Sequence, residues 1–274
     1  MDNAGRIEQF IAQAMQGKAA NTVKSYRYSL EQFAAYLDGS DADLSTYGRI
    51  DVQQYIATMQ AAKRAASGVN RHIAAIKAYS RYAGKQAAVD CLRMTKPPKA
   101  TQLAPEWLER NAVNDLLRRT DRKPNKRDHA LVSVLLYAGL RVSELVALDR
   151  TDVTLNERGG QVVVRNSKNG SARVIPLHSE ARKAIGDYLA QRADDHAALF
   201  LSSLGKRLSV RSVQAMLNVY GINPHQLRHT FVKRLVDKGV PTATIQAMSG
   251  HSSADMIAWY SAPSMDDLTN AIED

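Results

Sequence analysis

A proline-bearing polar stretch, Met94-Thr-Lys-Pro-Pro-Lys-Ala-Thr-Gln-Leu-Ala-Pro105, does most to limit what this chain can fold into. Adjacent prolines remove backbone donors and fix φ, so the segment reads as an extended linker rather than a helix. Before it, apolar side chains recur at helical intervals. Val23, Tyr26, Leu30, Phe33, Ala34 and Leu37 form one stripe, Val52, Tyr55, Ile56 and Met59 a second. Val69, Ile73, Ile76, Tyr79 and Tyr82 form a third. With a short opening helix over Arg6 to Met15 and Asn21 as a cap, these stripes predict a small helical bundle. Lys24, Arg27, Arg71, Lys77 and Arg81 lie mostly off the apolar faces, which gives the bundle a basic outer surface.

Beyond the linker the pattern is mixed. Pro105 to Leu117, Asp128 to Leu136 and Ser143 to Leu148 read as helices, as do 179–193, 210–220, 225–238, 242–248 and 254–260. Val162-Val-Val-Arg165 and Ala172-Arg-Val-Ile-Pro176 flank an Asn-Gly pair, the signature of a β-hairpin. Leu199 to Ser202 reads as one more strand. The expected organisation is a helical domain over 1–97, a linker over 98–105, a second domain over 106–262 and an acidic tail over 263–274. The class is mainly α, with one small antiparallel sheet in the second domain.

The formal net charge of +10 favours polyanionic partners, because neutralised phosphates release condensed counterions. Residues 1–100 carry 14 Lys+Arg against 8 Asp+Glu, and residues 101–260 carry 23 against 15. The tail carries Asp266, Asp267, Glu273 and Asp274 with no basic residue. Cys91 is the only cysteine, which excludes an intramolecular disulfide framework and a cysteine-built zinc site. Neither a signal peptide nor a membrane-length apolar run is visible, so the expectation is a soluble, cytoplasmic protein.

Candidate chemistry concentrates in three places. Arg141 lies in Ala138-Gly-Leu-Arg-Val-Ser-Glu-Leu145, where Glu144 is positioned to orient it on a shared helical face. His225-Gln-Leu-Arg-His229 brings Arg228 between two histidines. His251 precedes Tyr260 by nine residues. Guanidinium forks match the non-bridging oxygens of a phosphoryl transition state with two donors each. A tyrosine hydroxyl becomes a nucleophile when cations and a proton acceptor stabilise its phenolate. His225 and His229 also have the spacing of metal ligands, but Gln-Leu-Arg between them places a cation where a metal would sit, and the metal reading is set aside.

The order and context of these residues resemble the tyrosine recombinase (phage integrase) family. The likeness is strong over the second domain and compatible over the first, whose bundle then corresponds to the family's SAM-like core-DNA-binding domain. It implies a DNA breaking-rejoining fold for the second domain. It also implies that Tyr260 attacks a phosphodiester, leaving a 3′-phosphotyrosine and a free 5′-hydroxyl. Arg141 and Arg228 would hold the phosphate, His225 would take the tyrosine's proton and His251 would hydrogen-bond the phosphate. His229 would buttress the site, and Lys168 would act as general acid for the leaving oxygen. Lys168 lies in Ser167-Lys-Asn-Gly170, where the family's Gly-Lys-Gly turn is absent, although an Arg-x-x-Pro-Leu strand follows.

By the same resemblance no metal, nucleotide or other cofactor is needed. The partner is double-stranded DNA, engaged as a homotetramer on synapsed duplexes, or together with a paralogue. Lys24, Arg27, Arg71, Lys77 and Arg81 become candidate DNA contacts. Few residues precede the first bundle, which suggests a compact Xer-like or transposon-resolvase type. Met265, Leu268 and Ile272 suggest a tail helix that docks on a neighbouring protomer. Two alternatives stand beside this reading: a type IB-like topoisomerase, and a non-catalytic DNA-binding protein on the same fold.

Overall fold

The computed structural model describes residues 1–95, 106–165, 172–251 and 254–261, and the chain divides into two compact units, Met1–Thr101 and Gln102–Asp274. The linker expected at 98–105 and the tail at 263–274 lie outside the described residues.

The first unit is built from α1 (Asn3–Ala14), α2 (Ala20–Leu37), α3 (Arg49–Ala61) and α4 (Ala66–Tyr82), followed by a 3-10 turn at Gln86–Ala88. The three predicted stripes meet in one core, in which Leu30, Phe33, Leu37, Val52, Ile73 and Ile76 are fully buried. Aromatic edges fill its centre, with Phe10 against Tyr79 and Phe33 against Tyr47 at ring separations of 5.5 and 5.3 Å. Asn21 does not cap α2. The helix starts at Ala20 with Ala19 in the cap position, which leaves Asn21 inside the first turn. The real side-chain cap is Asp2 on α1, accepting from the Gly5 amide at 2.8 Å. Of the basic candidates, Lys24, Arg71 and Arg81 are exposed, while Lys77 and Arg27 are half-buried. Arg27 is already paired with Glu8.

The second unit begins with α5 (Arg110–Asp121), α6 (Arg127–Ala138), α7 (Val142–Ala147) and a 3-10 turn at Arg150–Asp152. A three-stranded sheet follows: β1 (Val153–Leu155), β2 (Gly160–Val164) and β3 (Arg173–Pro176). The order is β1-β2-β3 and both pairings are antiparallel. Then come α8 (Ser179–Ala190), α9 (Val210–Asn218), α10 (Pro224–Asp237), α11 (Thr242–Ser249), α12 (Asp255–Ala258) and a 3-10 turn at Trp259–Ser261. Helix α6 is apolar on almost every side and is buried from Ala130 to Leu136, so it forms the centre of the main core. Val162 opposes Ile175 in the sheet, and both are buried against that core.

Three expectations are corrected here. The first helix starts at Arg110, not Pro105, because the Leu108 amide is satisfied by the Thr230 hydroxyl at 2.9 Å instead of by a helical turn. Leu199 to Ser202 makes only one isolated bridge, Leu201 to Arg207, with a second, Asp149 to Ala198, just before it. The hairpin gains β1, whose three residues are too few to display a period in sequence. Among the described residues no helix is long and apolar enough to cross a membrane.

Helix α6 ends at Gly139, whose φ of 62° is left-handed. A Cβ there would lie 2.2 Å from the Phe231 ring, so both backbone and packing demand glycine. That turn delivers Leu140 to the core and leaves the Arg141 side chain half-buried.

Candidate active site

Arg141 occupies the cap position of α7 in an extended conformation, and Glu144 is the third helical residue. The Glu144 carboxylate accepts from the Arg141 amide at 2.8 Å and from its Nη1 at 2.9 Å. One carboxylate therefore both caps the helix and orients the guanidinium. Glu144 is buried, and burial alone would raise its pKa. Hydrogen bonds from Arg173 and Arg141 outweigh that effect and hold it below the usual carboxylate range.

Arg228 and His229 come from α10, which is started by Pro224 and a reciprocal cap between Asn223 and Gln226. Arg228 is 4% exposed; its Nη1 donates to the Gly139 carbonyl and its Nη2 to the Ser249 carbonyl, both at 2.7 Å. Burial, and then the nearby charge of Arg141, bring its pKa down to about 10, which still leaves it cationic at neutral pH.

The C-terminus of α11 is the meeting point. Its last carbonyls lack helical partners and carry the negative end of the helix dipole. Met248 accepts from Arg173 Nε at 3.0 Å, Ser249 from Arg228 and Gly250 from Arg141 Nη2 at 2.8 Å. Three guanidiniums from three elements thus converge on three consecutive carbonyls, with Glu144 as the only carboxylate bonded to any of them among the described residues. The excess of positive charge suits a tetrahedral anion.

His251 follows directly. Its Nε2 lies 3.3 Å from Arg228 Nη2, and its Nδ1 lies 2.7 Å from the Ser249 hydroxyl. A guanidinium can only donate, so Nε2 accepts, and the proton of the neutral ring sits on Nδ1 facing Ser249. The Ser249 hydroxyl in turn donates to the Ile245 carbonyl at 2.6 Å. Burial, then Arg228 and Arg141, depress the His251 pKa to about 4.

Tyr260 is 2% exposed. It belongs to a small cluster with Phe231, Val232, Ile245 and Ile257, separate from the main core and flanked by Trp107. Burial pushes its hydroxyl up to about 12, with Arg228 pulling the other way. The hydroxyl pairs with Nδ1 of His229, whose own pKa is lowered by burial and by His225 and Arg228. His225 is exposed one turn earlier, with its ring 6.3 Å from that of His229.

Arg141, Glu144, Arg228, His251, His229 and Tyr260 are therefore brought together, while His225 stands at the margin. Lys168 lies outside the described residues. Among those residues no group of three His, Cys, Asp or Glu could hold a metal. Two site residues were not singled out from sequence. Ser249 is hidden in an ordinary helix end. Arg173 had a signal, the Arg-x-x-Pro-Leu strand beside the hairpin, but it read as a strand pattern.

Known proteins resemble this chain in sequence and in fold. Residues 106–266 match the phage integrase family, and residues 7–87 match the phage integrase N-terminal SAM-like domain. The chain is 31% identical over 268 residues to tyrosine recombinase XerA of Pyrococcus furiosus, covering 94% of this chain and 89% of that protein. It is 28% identical to the TnP I resolvase of Bacillus thuringiensis, covering 100% and 99% respectively. In fold it is similar to a lambda integrase dimer bound to a COC′ core site, with a TM-score of 0.74 at 17% identity over 94% of this chain and 76% of that one. With both halves matched in chain order and a relative of this identity along nearly its whole length, the chain belongs to the phage integrase family of tyrosine recombinases.

Proposed function

We propose that this recombinase cuts and rejoins double-stranded DNA at a specific site in the cytoplasm, with Tyr260 as nucleophile. The observation that carries the reading is the convergence of Arg141, Arg228 and His251 on the end of α11, beside the His229–Tyr260 pair. Among the described residues Arg141 keeps three N–H groups and Arg228 two that no protein acceptor uses, enough to grip both non-bridging oxygens of a phosphodiester. The Tyr260 oxygen bonds to phosphorus as the bond to the 5′ oxygen breaks. His229 is the nearest acceptor for the phenolic proton while Tyr260 is buried. His225 takes that role once the ring turns toward the phosphate, and Lys168 protonates the departing 5′ oxygen. A 5′-hydroxyl from a partner duplex reverses the step and frees Tyr260. The bond energy stays in the phosphotyrosine, so neither ATP nor a metal enters.

Covalent trapping tests this. Nicked host DNA incubated with wild type should yield denaturant-resistant adducts on one short motif, and Tyr260→Phe should yield none while binding DNA equally well. Adducts scattered without a motif would point to a topoisomerase. Tight binding without adducts would point to a non-catalytic role.

His251 gives the site a pH signature. Its ring is neutral in the free protein, whereas a bound anion favours the protonated ring, with Nε2 donating to it. Binding then takes up a proton, so sulfate affinity should rise as pH falls from about 7.5 to about 5. Calorimetry in two buffers of different ionisation enthalpy measures that uptake. A pH-independent affinity would refute the role given to His251.

The working assembly is a homotetramer on two synapsed duplexes, with the acidic tail 263–274 docking on a neighbouring protomer. A cleft of about 610 Å³ beside Trp107 and Tyr137, with Arg110, Lys233, Arg234 and Lys238 against Glu109 and Asp237 in its lining, offers an acceptor of net positive charge. Deleting 263–274 should abolish synapsis and spare single-site binding; unchanged recombination by the truncated chain would rule the docking out. Dimer or cointegrate resolution fits the Xer-like and resolvase relatives better than integration does.

A further inference from the structure

We infer that Arg173 is a positioning residue of the reaction, keeping Arg141 available to the phosphate by occupying the carboxylate that would otherwise capture it. The inference rests on the strand-cleavage reading above. Arg173 opens β3, and its side chain is 10% exposed. All three of its nitrogens donate within the protein: Nε to the Met248 carbonyl, and Nη1 and Nη2 to the two oxygens of Glu144 at 3.0 and 2.7 Å.

Glu144 has about four lone-pair positions as a carboxylate. The Arg173 fork takes two, and the amide and Nη1 of Arg141 take the others. The carboxylate is full. Arg141 can therefore make only one side-chain bond to it, and its remaining donors face elsewhere. Without Arg173, two positions on a buried carboxylate fall vacant beside a single cation. The lowest-energy response is for Arg141 to turn and grip Glu144 with both arms, since a bidentate pair is the strongest available partner there. The phosphate then loses one of its two guanidiniums.

A second consequence runs through α11. Arg173 holds the first of the three carbonyls that end this helix, just before Ser249 and His251. Gly250 is left-handed at φ 70°, and a Cβ there would lie 3.0 Å from Arg173 Nη1, so the arginine passes directly under the turn that presents His251. Arg173 thus supports both an arginine and a histidine of the site, with each of its three nitrogens already bonded within the protein.

The test is single-turnover cleavage of a nicked duplex carrying the motif recovered by trapping, with DNA affinity measured in parallel and folding checked by thermal unfolding. Arg173→Met should slow adduct formation at saturating DNA about 100-fold while DNA affinity stays within about 3-fold, as expected for lost transition-state contacts alone. Adding Glu144→Gln to Arg173→Met should restore about 10-fold of that loss, because a neutral amide does not capture Arg141. A merely structural role predicts the opposite, a double variant worse than either single one. Arg173→Lys, which keeps the charge but not the fork, should remain folded and lose at least about 10-fold.

Wild-type rates in Arg173→Met or in Arg173→Lys, or no recovery in the double variant, would overturn the inference and leave the cleavage reading intact. A wild-type protein that forms no adduct on any duplex would bring down both.

Discussion

Replacing Arg228 by alanine should lower strand cleavage by about three to five orders of magnitude, the range found when a transition-state arginine is removed from phosphoryl transfer. The guanidinium reaches the Gly139 carbonyl, the Ser249 carbonyl and His251 at once, while two of its N–H groups meet no acceptor among the described residues. Lysine cannot substitute: one ammonium on a flexible stem does not span three acceptors and a phosphate together. Stability should respond less than activity, for two opposing reasons. The loss leaves two buried carbonyls without their donors and opens a cavity. It also removes a desolvated cation that stands near Arg141, the same effects that bring the Arg228 pKa down to about 10. A net destabilisation of about 1–3 kcal/mol is expected, measurable as a lower urea midpoint. Arg228→Ala with near-wild-type adduct formation would remove the residue from the reaction. A folded Arg228→Ala protein that binds DNA but does not cleave it would support the assignment.

Glu144→Ala should be the most destabilising change in the site, at about 3–5 kcal/mol, because it leaves the buried fork of Arg173 and one arm of Arg141 without a counter-charge. Adduct formation should fall with it, since Arg141 is no longer held at the cap of α7. The same carboxylate gives a pH dependence with a definite sign. Burial raises its pKa, but bonds from Arg173 and Arg141 prevail, so the folded-state value lies below the unfolded one. Its contribution is therefore present above the ordinary carboxylate pKa and is lost as pH falls through the depressed folded value. Wild type should lose stability in mild acid more steeply than Glu144→Ala, and chemical denaturation at a series of pH values measures the difference. Parallel pH profiles for the two proteins would contradict this account.

What could be read from the sequence followed from how local each determinant is. Gly139, Arg141 and Glu144 lie within six residues, and a glycine helix stop, a cap position and an acid at the third helical residue are all local signals. The amphipathic stripes of α2, α3 and α4 were legible because a helix repeats its buried face. Helix starts were less so, because α2 begins at Ala20 without a side-chain cap although Asn21 is the better capping residue, and the segment before Arg110 is held at Leu108 by Thr230, far along the chain. Arg173 and Met248 are 75 residues apart, and no local pattern announces that contact. The choice between His225 and His229 was not legible either. Both lie on one face of α10, and only the path of the chain from Gly250 to Tyr260 decides which ring the hydroxyl meets.

The separation of the Tyr260 cluster from the main core has a thermodynamic consequence. Helix α12 spans four residues, and the described packing of its segment rests on the buried side chains of Ile257 and Tyr260. An element held by so few contacts opens at a free energy well below that of global unfolding, so its amides should exchange with solvent ahead of those of α6. On the proposed role of Tyr260, its availability is then rationed by an equilibrium constant. Every 1.4 kcal/mol or so added to the socket reduces the competent fraction about tenfold, and the same amount removed raises it tenfold until most molecules stand open. If Tyr260 is the nucleophile proposed above, selection on such a socket acts on a set-point: tight enough to spare bystander phosphodiesters, loose enough for the correct DNA site to draw the tyrosine out.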